Sequence, residues 1–209
     1  QNATNTSSST SVELFIDSEA PLAPTLSVAE CANSLAAVSG ACLVATTTLN
    51  LNWASAATDL NYFELSYGSP AATTTLTSAA TSTVLSLIDN TSYTFFLRAR
   101  DQSGNWSEAT TTAAEISTIP VIINEVAWMG TASSTEDEWI ELYNRTNHAV
   151  NFNNNNWVLR VSDNRPYIPL SKIIPAKGYY LLERADDKTI SDLNADLVYG
   201  NDGADWALN

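Results

Sequence analysis

Between residues 25 and 118, apolar residues recur at every second position in short runs, each halted by turn-forming residues. Leu49, Leu51 and Trp53 alternate with Asn50 and Asn52, and Phe63, Leu65 and Tyr67 alternate with Glu64 and Ser66 before Gly68-Ser69-Pro70. Leu85 and Leu87 share a face ahead of Asp89-Asn90. Tyr93, Phe95, Leu97 and Ala99 form the longest run, which stops at Asp101-Gln102-Ser103-Gly104-Asn105. A period of two puts successive side chains on opposite faces of a strand, so these runs predict an antiparallel sandwich. After Ile119-Pro120 the pattern starts afresh, with strand-like runs at 121–130, 138–144, 157–161, 168–170 and 179–184. Ahead of both sets lies an isolated run at 12–17, with Val12, Leu14 and Ile16 on one face. Pro21 and Pro24 follow it and favour an extended, semi-rigid linker. The expected organisation is all-β: an N-terminal extension over 1–20, one sandwich over 21–118 and a second over 119–209.

Composition narrows the class. Ser, Thr and Asn make up about a third of the 209 residues, yet 44% are hydrophobic, so the chain has the material for packed cores. Nine Lys and Arg stand against 23 Asp and Glu, a formal charge of −14. That balance opposes binding to nucleic acid or to anionic lipid, both of which need clustered cations. No apolar run approaches the ~20 residues of a membrane-spanning helix. Cys31 and Cys42 enclose ten residues that include Asn33, Ser34, Ser39 and Gly40, which suits a turn closed by a disulfide. Such a bridge stabilises by roughly 2–3 kcal/mol in the loop-entropy model. The alternative is two buried thiols. A disulfide and few lysines together point to an extracellular or cell-surface protein.

Specific motifs sharpen the two halves. Leu87-Ile88-Asp89-Asn90-Thr91-Ser92-Tyr93 resembles the corner of fibronectin type III domains, where a tyrosine ring joins the core and its hydroxyl ties back to the preceding connection. Trp53 and the run from Arg98 to Ser107 fit the same family, and the resemblance spans roughly 22–118. The Cys31–Cys42 region is then an insertion between the first two strands. Ile123-Asn124-Glu125, the run 137–144, Trp157-Val158-Leu159, the run 174–179 and Tyr199-Gly200-Asn201-Asp202-Gly203 resemble bacterial lamin tail domains. Both resemblances imply immunoglobulin-like sandwiches, and neither implies catalysis. The second also implies further strand sequence beyond residue 209, without which a sheet edge and a groove over the core stay open.

Catalytic constellations are sparse. The lone histidine, His148, falls in a turn and reads as an exposed turn residue rather than a base. Glu125, Glu138 and Glu141 read as polar positions on strands, or as carboxylates bonded to loop backbone, rather than a glycosidase pair. The chain is therefore expected not to be an enzyme and to need no cofactor. Calcium is the ligand the sequence leaves open: Asn201, Asp202 and Asp205 surround a glycine, and Asp101 with Asn105, or Asp17 with Glu19, are further oxygen donors. Asn2, Asn5, Asn90, Asn105 and Asn144 begin glycosylation sequons. Phe96 and Trp106 are expected to pack on the neighbouring sandwich or to contact a partner. Functionally, the pattern fits a surface-fibre subunit in which Val12, Leu14 and Ile16 of one copy complete the second sandwich of another, head to tail. The competing expectation is a binding or spacer module of a larger secreted or surface protein, whose own ligand the sequence does not name.

Overall fold

The computed structural model describes residues 16–38, 40–153, 156–160, 167–191, 193–200 and 208. In chain order, the first body comprises β1 (Thr25–Val28), a 3-10 turn (Ala29–Asn33), β2 (Leu43–Val44), β3 (Thr48–Ala54), β4 (Leu60–Tyr67), β5 (Ala72–Thr77), β6 (Ser82–Ser86), β7 (Thr91–Asp101) and β8 (Thr110–Ile116). A three-stranded sheet, β1-β3-β6, faces a five-stranded sheet, β2-β8-β7-β4-β5. The alternation read from the sequence decides what lies between them. Leu49, Leu51 and Trp53 of β3 meet Phe63 and Leu65 of β4 and Tyr93, Phe95, Leu97 and Ala99 of β7, all buried. Each fully buried Leu or Phe contributes about 1.5–3 kcal/mol relative to exposure. The Tyr93 hydroxyl accepts a hydrogen bond from the Ile88 amide at 3.0 Å, which ties β7 to the connection before it.

The second body contains β9 (Val121–Ala127), β10 (Trp139–Asn144), β11 (Val150–Asn151), β12 (Val158–Arg160), β13 (Tyr167–Pro169), β14 (Ile173–Ile174), β15 (Tyr179–Arg184) and β16 (Leu197–Tyr199). A four-stranded sheet, β16-β15-β10-β9, shares its core with the short pairs β11-β14 and β12-β13. Ile140 and Leu142 of β10, Tyr180 and Leu182 of β15, Phe152, Ile168 and Ile174 fill that core. The fold class is thus all-β and sandwich-like throughout. Directly paired residues share a face, so Val126 and Ile123, opposite Ile140 and Leu142, point to the core side of the sheet. They are nonetheless 42% and 52% exposed, since β9 lies at the edge of the described sheet.

Most of the 12–17 run, including Val12 and Leu14, lies outside the described residues. Ile16 is described, is 81% exposed and belongs to no strand.

Candidate functional site

The segment enclosed by the two cysteines is where the structure departs most from a surface loop. Cys31 and Cys42 form a disulfide with Cα atoms 5.0 Å apart. Inside it, the Ser34 hydroxyl acts as a hub: it donates to the Ala41 carbonyl and accepts from the amides of Ala36 and Leu43. So braced, the segment turns its apolar residues away from its own sandwich. Leu35, Ala36, Ala41 and Leu43 all pack into the core of the second body. Backbone pairing follows the side chains: Ala36 bridges to Val150, the Ala37 amide donates to Ala149, and the Asn151 amide donates to Leu35. β2 shows how one strand serves two cores. Cys42 and Val44 face the first core, and Leu43 between them, fully buried, faces the second.

Two further contacts complete the joint. Glu115, at the end of β8 and 5% exposed, accepts hydrogen bonds from the backbone and side-chain amides of Asn147 at 3.0–3.1 Å. His148 Nε2 lies 3.7 Å from the same carboxylate. The histidine is therefore not a free turn residue as expected, because its turn is seated on the first sandwich; nor does it touch a nucleophile. Next to it, Asn144 is fully buried, donates to the carbonyls of His148 and Pro175, and accepts from the amide and hydroxyl of Thr146. This sequon has a structural role that leaves no access for a glycan in the folded state. The linker is held as well: the Arg145 amide donates to Pro120, and Asp89 accepts from the amide and hydroxyl of Thr118. Those Thr118 bonds hold the Asp89 carboxyl below its ordinary value.

A second feature sits where the chain enters the first sandwich. Carboxylate oxygens of Asp17, Asp59 and Asp101 lie within 4.8 Å of one another. Asp101, at the end of β7 and fully buried, accepts from the amides of Gly104 and Asn105 and from the Asn105 side chain. Burial raises its carboxyl, and these hydrogen bonds more than offset that, leaving it below its ordinary value. The Asn105 side-chain amide also reaches the carbonyls of Asp17 and Glu19, both at 3.2 Å. Two donor pairs separately visible in the sequence, Asp101 with Asn105 and Asp17 with Glu19, are thus brought together. Asp59 carries no such signal in the sequence; it lies in the connection between β3 and β4, with no local sign of its distant neighbours. Hard oxygen donors of this kind suit a divalent cation such as calcium. Asn201, Asp202 and Asp205 lie outside the described residues.

The remaining candidates resolve into structural roles. Glu138, 3% exposed, pairs with Arg184 at 3.4 Å and accepts from the Leu208 amide. Glu141 accepts from Asn124, and Glu125 is exposed. Glu125 and Glu141 are direct cross-strand partners on β9 and β10. Trp106 packs within the first body. The guanidinium groups of Arg98 and Arg100 lie over its ring, 3.9 and 5.4 Å from the centroid, and Tyr62 meets its edge. Phe96 stays 43% exposed. A cavity of about 660 Å³ opens between β1 and β8; both cysteines, Tyr93, Glu115 and His148 contribute to its wall.

No curated protein sequence matches the chain significantly. Among solved structures, Chitinase ChiA74 from Bacillus thuringiensis is similar over 81% of this chain, at 17% identity and a TM-score of 0.36. The chain spans 27% of that chitinase chain. Residues 114–208, which contain the second body from the end of β8 onward, match the family model of the Lamin Tail Domain, an immunoglobulin-like fold.

Proposed function

We propose that the chain is a non-catalytic binding or spacer module of a larger secreted or surface protein, in which a fibronectin type III-like sandwich and a lamin tail-like sandwich are presented as one rigid body. The observation that carries this reading is the insertion of the first body into the core of the second through Leu35, Ala36, Ala41 and Leu43. Domains joined only by a linker move freely unless their interface is large and hydrophobic. Here the joint includes shared core, strand-like pairing and a buried carboxylate. The disulfide favours an oxidising, extracellular setting. Fluorophores on Ser78→Cys and Ala132→Cys, at exposed sites on the two bodies, test it. A single narrow distribution of transfer efficiencies is expected, and a broad one overturns the rigid module.

The same reading assigns a calcium ion to the Asp17, Asp59 and Asp101 cluster, where it would fix the direction in which the chain enters the first sandwich. Extracellular modules bind calcium at about 10⁻⁴–10⁻³ M. Calorimetric titration with calcium chloride should show binding in that range that Asp59→Asn removes. Absence of binding at millimolar calcium refutes the assignment.

A fibre subunit is the second reading, favoured by the exposure of Ile123 and Val126 on the core side of β9. The strand bearing Val12, Leu14 and Ile16 would come from a neighbouring copy. Deleting residues 1–17 should then leave folded monomers, whereas assembly by the truncated chain would dispose of the idea.

A further inference from the structure

We infer that the Cys31–Cys42 disulfide is a redox-controlled latch on the joint between the two bodies, open to small thiols through the cavity beside it. The inference rests on the rigid-module reading and adds how that rigidity is set. Three observations meet at this bond. First, it closes the segment that supplies the second core with Leu35, Ala36 and Ala41. Second, among the described residues the bonds inside that segment are few, and its other bonds run to the second body. Among the described residues these are the bonds of the Ser34 hydroxyl, the Ser34 amide to Cys31, the Leu35 amide to Leu43 and the Ala41 amide to Val38, while Val38 itself is 62% exposed. Third, both cysteines contribute to the wall of the 660 Å³ cavity between β1 and β8. Cys42 is 5% exposed and Cys31 is half-buried, so Cys31 is the sulfur an incoming thiolate reaches first.

The chemistry is a two-electron exchange with a dithiol. One thiolate of the reductant attacks Cys31 Sγ, the S–S bond breaks, and Cys42 leaves as a thiolate that takes up a proton. The second thiolate of the reductant then displaces Cys31, which leaves and is protonated in turn. The reductant ends as its own disulfide, and the protein gains two electrons and two protons. Freed of the crosslink, the segment regains the loop freedom the bond had removed. Seating Leu35 and Ala36 in the second core then carries the entropy of ordering the whole loop. Residues 117–120 still connect the bodies, so loosening the latch turns a rigid pair into a jointed one without separating them. The chain is expected to be jointed before oxidation and stiff after it.

The test uses the full chain labelled at Ser78→Cys and Ala132→Cys through thioether bonds, which a dithiol does not cleave. Single-molecule transfer efficiency is recorded before dithiothreitol, after it, and after reoxidation, with amide exchange at Ala37 and Asn151 followed in parallel on the unlabelled chain. The inference expects a narrow distribution that is lost on reduction, with loss of protection at both amides, and is regained on reoxidation. That recovery excludes simple misfolding. A Cys31→Ala/Cys42→Ala variant should match the reduced protein, with retained amide protection at Leu51, Leu65 and Leu97 confirming that the first core is intact. A distribution that stays narrow after complete reduction overturns the latch and leaves the rigid module standing. One that is already broad when oxidised overturns both.

Discussion

Leu43→Ala is the substitution that most clearly separates a shared core from a surface loop. Leu43 is fully buried, lies on a strand paired with β8 of the first body and packs in the second core. Truncation removes three carbons at about 0.8 kcal/mol each, roughly 2.4 kcal/mol of transfer free energy. The unfilled space raises the total to about 2–5 kcal/mol, depending on how far neighbours relax. For a chain of this size each kcal/mol moves the melting temperature by about 2–4 °C, so a fall of roughly 4–20 °C is expected. Calorimetry measures the fall, and hydrogen exchange locates it. Amides of β11, β14 and β15 should lose protection along with those of β2, although all three lie in the other body. If the added exchange is confined to β2 and β8, or if the loss is below about 0.5 kcal/mol, the typical surface value, the shared-core argument fails.

Three other outcomes follow from the geometry. Tyr93→Phe removes the hydrogen bond to the Ile88 amide and should cost about 1 kcal/mol in urea unfolding, with no change in the second body. Asn144→Ala leaves the His148 and Pro175 carbonyls and the Thr146 amide without this partner, and should cost about 2–4 kcal/mol, read as a shift in the urea midpoint. Asp89 and Asp101 hold their protons less tightly in the folded state than when unfolded, so their contribution is present above the ordinary carboxylate range and is lost as the pH falls from that range down through their lowered folded values. Relief of repulsion in a chain of charge −14 acts in the opposite direction, so the comparison is with Asp101→Asn, whose urea midpoint should fall less between pH 6 and pH 3 than that of the parent. Equal falls would remove Asp101 from the account.

Where burial alternates, the sequence was legible. Residues 49–53, 63–67 and 93–99 fall on β3, β4 and β7 with the expected faces inward, and the corner at Leu87–Tyr93 closes as the motif implies. β5 was not anticipated. It is an edge strand of mostly exposed threonine, so no core imprints a period on it. The insertion carries only turn signals in the sequence for a related reason. Leu35, Ala36 and Ala41 have no local periodicity, because the surface they fit is built by residues far along the chain, such as Val150 and Phe152. Asp59 was missed on the same grounds, since its proximity to Asp17 and Asp101 is a product of the fold. Local patterning records which face of a strand is buried, but not which of two cores buries it.

Residual dipolar couplings measured on the oxidised chain in a weakly aligning medium test the central claim most directly. Amides of β3, β4 and β7 report the orientation of the first body, and those of β10 and β15 that of the second. A rigid joint requires one alignment tensor, equal in magnitude and direction, to fit both sets at once. Two tensors of different magnitude would mean that the bodies reorient independently, and the insertion would then be a contact without mechanical consequence.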